Sequence, residues 1–254
     1  MPSLYYDLPR PIVFAHRGSS LHAPENTLAA FELALQQGAN AIELDAKLTA
    51  DGQVIVIHDF TVDRTTDGTG EVRKLTLEQI RKLDAGSHFD IAYHNEHVPT
   101  LEEVFKAVGS RTLINIELTN YAAPLDALPE KVVRLVRRYR LESRVLFSSF
   151  CFLTLLRAHN AMPGVPTGLL AYRGKAGILA RSPAASLFPY QALHPEKSDV
   201  TGALVQRAHR QGRRIHVWTV DDPGEMAFLA DLGVDGFFTD DPVLARKVLA
   251  GKTE

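Results

Sequence analysis

The chain has 254 residues, 45% of them apolar, with 28 Lys+Arg against 30 Asp+Glu. That length supports a sizeable core in one domain, and the near-balanced, dispersed charge excludes a long-range field that would draw the protein to nucleic acid or an anionic membrane. No run approaches the ~18 apolar residues of a membrane span, the single Cys151 rules out an intrachain disulfide, and Met1 to Arg10 lacks a secretory pattern, so the expectation is a soluble cytoplasmic protein.

Apolar β-like runs alternate with segments of helical period along the chain. Ile12 to Ala15 reads as a strand ending at His16-Arg17-Gly18, and Pro24-Glu25-Asn26-Thr27 opens a helix to Gln37 with Asn or Thr as its cap. Ala41 to Leu48 reads as the next strand, Asp51-Gly52 as a tight turn, and Val54 to Ile57 as an apolar run that ends at His58-Asp59. From Phe60 to Pro99 the rhythm breaks, with turn-rich Arg64-Thr-Thr-Asp-Gly-Thr-Gly70, a short helix over Leu77 to Leu83 and polar Tyr93-His-Asn-Glu-His97. The pattern predicts an insertion over 60–99 within a single domain 1–254, at a place suited to a lid or specificity element. A decorative surface loop is the alternative.

The alternation resumes with a helix over Leu101 to Val108, a strand over Thr112 to Leu118, a helix over Leu128 to Tyr139 and a strand over Val145 to Phe150. Phe152 to His159, Ala203 to Gln211, Glu225 to Leu232 and Val243 to Leu249 read as helices; Gly168 to Tyr172, Ile215 to Val220 and Gly236 to Thr239 read as strands. Gly174 to Pro189 is irregular and receives no function. Seven or eight βα repeats imply an α/β fold whose parallel sheet closes into a (β/α)8 barrel, with a doubly wound open sheet as the competing architecture.

Chemistry concentrates at the strand ends. Glu43 and Asp45, two apart on one strand, project to the same side, and two like charges there need a cation. Glu117 repeats the logic at the end of Leu113-Ile-Asn-Ile-Glu. Three carboxylates without a Cys or an obvious His ligand favour a hard divalent ion, Mg²⁺ or Ca²⁺, over zinc. A hairpin at Asp51-Gly52 returns His58 toward the acids, and His16 with His58 form a candidate acid/base pair. Arg17 offers a planar fork for a phosphate or carboxylate, with an ordinary ion pair as the alternative, and Gly18 permits close approach of a ligand. His22, His88, His94, His97, His159 and His209 are given no role.

In their order, His16-Arg17-Gly18 with Pro24-Glu25-Asn26-Thr27, Glu43-Leu-Asp45, His58-Asp59 and Arg64-Thr-Thr-Asp-Gly-Thr-Gly70 resemble the glycerophosphodiester phosphodiesterase family, in its cytosolic bacterial-type branch. Pro99-Thr-Leu-Glu-Glu-Val, Asn115-Ile-Glu117, Trp218-Thr-Val and Gly233-Val-Asp-Gly with Thr239-Asp-Asp-Pro look like later signatures of the same family, so the resemblance covers nearly the whole chain. It implies a TIM-like barrel with a small insertion after the second strand. It also implies hydrolysis of glycerophosphodiesters to sn-glycerol 3-phosphate and an alcohol, through a cyclic phosphate. Carried over residue by residue, His16 and His58 would be the acid/base pair, Glu43, Asp45 and Glu117 would bind one divalent cation, and Arg17 would hold the phosphate. Trp218 would offer an apolar wall to the glycerol carbons, with a barrel-core role as the alternative.

The implied partner is a small-molecule glycerophosphodiester, with no nucleic acid and no stable membrane association; a homodimer stays open. One departure matters: the family often has a lysine two residues after the third acid, and this chain has Thr119 there. Either Arg17 and the metal suffice, or Lys47 or Arg173 reaches in, or the preferred substrate differs. Competing readings are a lysophospholipase D-type enzyme, which would need an apolar groove near the insertion, a metal-free phospholipase C-like cleavage by the same imidazoles, and a non-catalytic glycerol-phosphate-binding barrel.

Overall fold

Successive strand side chains point to opposite faces, and here nearly every strand residue is buried on both, as a sheet covered by helices outside and closed on itself inside requires. The computed structural model describes residues 3–251. Its strands are β1 (Ile12–Ala15), β2 (Ala41–Leu48), β3 (Val54–Val56), β4 (Leu113–Leu118), β5 (Val145–Ser149), β6 (Thr167–Ala171), β7 (Ala192–Pro195), β8 (Arg214–Val217) and β9 (Gly236–Thr239). Its helices are α1 (Leu4–Asp7), α2 (Leu28–Gln36), α3 (Leu77–Ile80), α4 (Leu101–Val108), α5 (Leu128–Tyr139), α6 (Phe152–Ala161), α7 (Ile178–Arg181), α8 (Gly202–Arg210), α9 (Pro223–Asp231) and α10 (Pro242–Ala250).

The sheet runs β1-β9-β8-β7-β6-β5-β4-β2-β3, and a further β1–β2 pairing joins its ends. All pairs except β2–β3 are parallel, so eight strands close into a barrel of the TIM type and β3 is an antiparallel flap on β2. The open-sheet alternative is excluded by that closing pair. The strand the periodicity misses is β7: it is four residues long and includes His194 and Pro195, so neither length nor composition marks it. The 60–99 segment leaves the barrel after the flap β3, not directly after β2. It has its own apolar cluster of Val62, Val72, Ile80, Ala85 and Val98, closed against Ile55 and Ile57.

The alternation sorts the core into two parts. Val13, Ile42, Leu44, Ile114, Ile116 and Phe147 face outward and pack with the helices. Ile12, Phe14, Ala41, Leu113, Leu146 and Phe238 face inward, with Tyr5 of α1 fully buried among them at the barrel floor. Above that apolar floor the inward positions of β2 and β4 turn polar, and the site lies at that end.

Two fully buried histidines share the interior layer with the aromatic rings. His216 Nδ1 and His194 Nε2 are 3.1 Å apart, and His216 stacks obliquely on Phe14 with centroids 4.9 Å apart. Gly168 of β6 makes room: a Cβ there would lie 2.3 Å from the His194 ring. Burial drives the His194 pKa down to about 3 and pulls His216 well below its usual value, with His194 adding to the effect. Both stay neutral in the fold while the unfolded chain takes up protons below pH ~6.5, so stability is full above that pH and falls as pH drops. Each buried imidazole should cost about 1.4 kcal/mol per pH unit in that window. Denaturant unfolding at pH 7, 6 and 5 checks this: a steep loss is expected, and a stability independent of pH down to 5 would contradict it.

Candidate active site

Two strands supply a ladder of inward side chains. In the β2–β4 register Glu43 stands opposite Asn115 and Asp45 opposite Glu117. One step further along the same face, Lys47 Nζ donates to Thr119 Oγ1 at 2.7 Å. The ladder therefore runs from amide and acid, through acid and acid, to amine and hydroxyl, all at the carboxyl ends of barrel strands where the fold places its chemistry.

Glu43, Asp45 and Glu117 each offer an oxygen, and these lie within 4.8 Å of one another. Burial, with Asp45 and Glu117 alongside, pushes the Glu43 carboxyl well above the usual carboxylate range. Burial and the Asp45 charge push Glu117 up as well, against a hydrogen bond from the Tyr121 hydroxyl. Asp45, despite burial, is held below its ordinary value by Arg17, His58 and the Asn26 amide, which donates to it at 2.9 Å. Three acids so close cannot all ionise without a partner. Beside them Asn115 Oδ1 is buried with no hydrogen-bond partner among the described residues. An all-oxygen donor set with an orphaned carbonyl fits a hard divalent cation.

The turn at Thr49–Gly52, where Gly52 adopts φ 72, folds β3 back on β2 and brings His58 to the same cleft as the acids. His16 reaches it from the end of β1. Each imidazole is tethered through Nδ1: His16 to Asp240 Oδ1 at 2.7 Å and His58 to Asp59 Oδ1 at 2.7 Å. Nε2 of each ring is left for the cleft, an arrangement that fixes both tautomer and orientation. Asp59 is held well below its ordinary pKa by hydrogen bonds from Arg64 and His58.

Arg17, in a left-handed backbone conformation at φ 56, donates its main-chain N–H to Glu43 Oε2 at 2.9 Å and its guanidinium to Glu25 at 2.9 Å. Its Nε is buried without a hydrogen-bond partner among the described residues, 3.5 Å from Asp45 Oδ2. Arg64 grips both Glu25 and Asp59, so an unbroken chain of charges links His58, Asp59, Arg64, Glu25 and Arg17. Thr27 is the cap of α2, while Asn26 serves Asp45. Gly18 is needed for a neighbour other than a ligand: at φ 86, a Cβ would lie 2.6 Å from Ala30 Cβ of α2.

Phe150 and Trp218 form the opposite wall, rings edge to face with centroids 5.6 Å apart, and Trp218 Nε1 donates to the His194 carbonyl at 2.7 Å. His16, Arg17, Glu43, Asp45, His58, Asn115, Glu117 and Trp218 thus line one cleft of about 130 Å³, so every site residue read from the sequence meets there. Lys47 lies against the acids, buried, its ammonium pKa lowered by burial against the pull of Asp45 and Glu117. Arg173 is exposed and does not line the cleft. Sequence reading did not assign roles to Asp240, Tyr121 and Arg64; of these only Tyr121 stood outside a recognised motif.

The family described as "Glycerophosphoryl diester phosphodiesterase family" matches residues 16–244. A glycerophosphodiester phosphodiesterase of Caldanaerobacter subterraneus subsp. tengcongensis is 40% identical over 92% of this chain and 95% of its own length. One from Bacillus subtilis is 33% identical over 95% and 87%. Among solved structures, an Oleispira antarctica phosphodiesterase in complex with the product sn-glycerol-3-phosphate superposes with TM-score 0.88 at 30% identity, covering 98% of this chain and 99% of that one.

Proposed function

Since this chain belongs to the glycerophosphodiester phosphodiesterase family and is an enzyme of that activity, we propose that it hydrolyses glycerophosphodiesters to sn-glycerol 3-phosphate and an alcohol by metal-dependent His/His acid/base catalysis. The observation that carries this reading is the convergence on one cleft of three clustered carboxylates and two aspartate-tethered imidazoles. The 60–99 segment is an insertion in a single domain, and it supplies Arg64 to the charge chain. The chain's one cysteine, Cys151, which can form no intrachain disulfide, supports a cytoplasmic enzyme.

A phosphodiester resists attack because its free oxygens are anionic, so a catalyst must shield that charge, activate a nucleophile and protonate the leaving alkoxide. Glu43, Asp45 and Glu117 would hold one Mg²⁺ or Ca²⁺, which when bound neutralises phosphoryl charge and polarises the phosphorus. Arg17, whose Nε lacks a partner, donates to a phosphoryl oxygen. One imidazole removes the proton from the substrate's glycerol 2-hydroxyl or from a water at Nε2; the other delivers a proton to the departing alcohol. Asp240 and Asp59 hold the two rings in register and stabilise the imidazolium that forms. Lys47, held by Thr119, stands in for the lysine the family often has at that position. Phe150 and Trp218 offer an apolar wall to the glycerol carbons.

Release of sn-glycerol 3-phosphate from glycerophosphocholine and glycerophosphoethanolamine, and of the head-group alcohol from lysolipids, with and without chelator, tests the reading. Metal-dependent release from the diesters is expected. Binding of glycerol 3-phosphate with no turnover of any diester would overturn it in favour of a binding-only barrel.

A further inference from the structure

A second and larger cavity opens beside the cleft. It measures about 450 Å³ against about 130 Å³ for the cleft, and lies between the 60–99 segment and the loop after β4. Its walls include Leu48, Phe60, Val72, Ala122, Ala123 and Leu128. Three of its lining residues each stand two positions beyond a cleft residue: Lys47 after Asp45, Phe60 after His58, and Thr119 after Glu117. On β2, and where β4 runs out, that spacing keeps one face, so the groove continues the catalytic floor outward. The Lys47 ammonium marks the junction, 4.9 Å from the Phe60 ring centroid.

The polar atoms of cleft and groove differ in one decisive respect. In the cleft Arg17 Nε and Asn115 Oδ1 are buried without hydrogen-bond partners among the described residues, as atoms awaiting a ligand are. In the groove the polar groups are already engaged within the protein. Glu71 accepts from Arg73 and Lys74, Asp126 accepts from the Asn120 amide and the Leu128 N–H, and Lys47 donates to Thr119. Each of these groups already has a partner inside the protein, and the apolar walls gain from covering a chain.

Resting on the phosphodiesterase reading, we propose that this groove receives the leaving alcohol and that the substrates include glycerophosphodiesters whose second alcohol carries an aliphatic chain. In that reaction the P–O bond to the chain-bearing alcohol breaks. Water supplies the new oxygen on phosphorus and the proton on the alcohol, giving sn-glycerol 3-phosphate and an alkyl alcohol or monoacylglycerol. Glycerol and phosphate occupy the cleft between Trp218 and the acids, and the chain lies under the insertion.

The test uses n-alkyl esters of glycerol 3-phosphate, ethyl through octyl, below their micellar concentrations and with Mg²⁺ supplied, read by sn-glycerol 3-phosphate release. kcat/KM should rise about two- to four-fold per methylene until the groove is filled. Ala123→Trp, with Ala122→Trp as the second variant should the first not fold, should return the octyl ester to the ethyl ester's level while leaving ethyl turnover unchanged. Release from every ester with no dependence on chain length overturns the groove alone, as does a rising series untouched by both substitutions. No release from any ester, glycerophosphocholine included, overturns the phosphodiesterase reading and this inference with it.

Discussion

Chelation of divalent ions should lower sn-glycerol 3-phosphate release by about 10³ or more, a loss of several kcal/mol of transition-state stabilisation. The reason lies in the acids themselves. Burial with Asp45 and Glu117 nearby drives Glu43 toward protonation, burial with Asp45 nearby drives Glu117 the same way, and adding a phosphate to that cluster brings a further negative charge. Arg17 alone faces too many anions, since it already pairs with Glu25 and neighbours Asp45. Readdition of Mg²⁺ or Ca²⁺ should restore turnover, and Glu117→Gln should resist restoration. Full activity after exhaustive chelation would instead point to metal-free cleavage by the same two imidazoles.

His16→Ala and His58→Ala should each lower kcat by at least about 10² with the fold intact, the usual worth of a positioned acid or base. His16 lies at the end of β1 and His58 is partly exposed beyond β3, so neither truncation opens the apolar core. Asp240→Asn removes the negative charge that orients His16 and stabilises its imidazolium, without altering shape, and should lower kcat by at least about ten-fold with KM little changed. A purely structural role for Asp240 would instead show as lost stability at normal kcat. Near-normal turnover in either histidine variant would refute its role.

The legible parts of this chain are those governed by local periodicity. The helices over 101–108 and 128–139 and the strand over 236–239 match residue for residue, because amphipathic spacing and capping residues such as Thr100 fix them locally. Glu43, Asp45 and Glu117 were legible for a related reason: a carboxylate inside an apolar strand has to face something. β7 was not, since His194 and Pro195 make sense only once Gly168 opens space for a ring across the sheet. Asp240 and Arg64 escaped assignment because their work lies in contacts with His16, Asp59 and Glu25, and the His16–Asp240 pair is 224 residues apart in the chain. The groove likewise is a property of two loops meeting, with no periodic signal in either. Lys47 shows the middle case: sequence reading named it beside Arg173 as a substitute cation, and the β2–β4 register brings it to Thr119.

On the proposed mechanism, three carboxylates from β2 and β4 share one cation between the two imidazoles. Calorimetric titration of metal-free protein with Mn²⁺, an oxygen-seeking stand-in for Mg²⁺, tests it most directly. One ion per chain is predicted for the wild type, with binding lost in Glu43→Gln and in Glu117→Gln alike. Unchanged stoichiometry and affinity in both variants would contradict it.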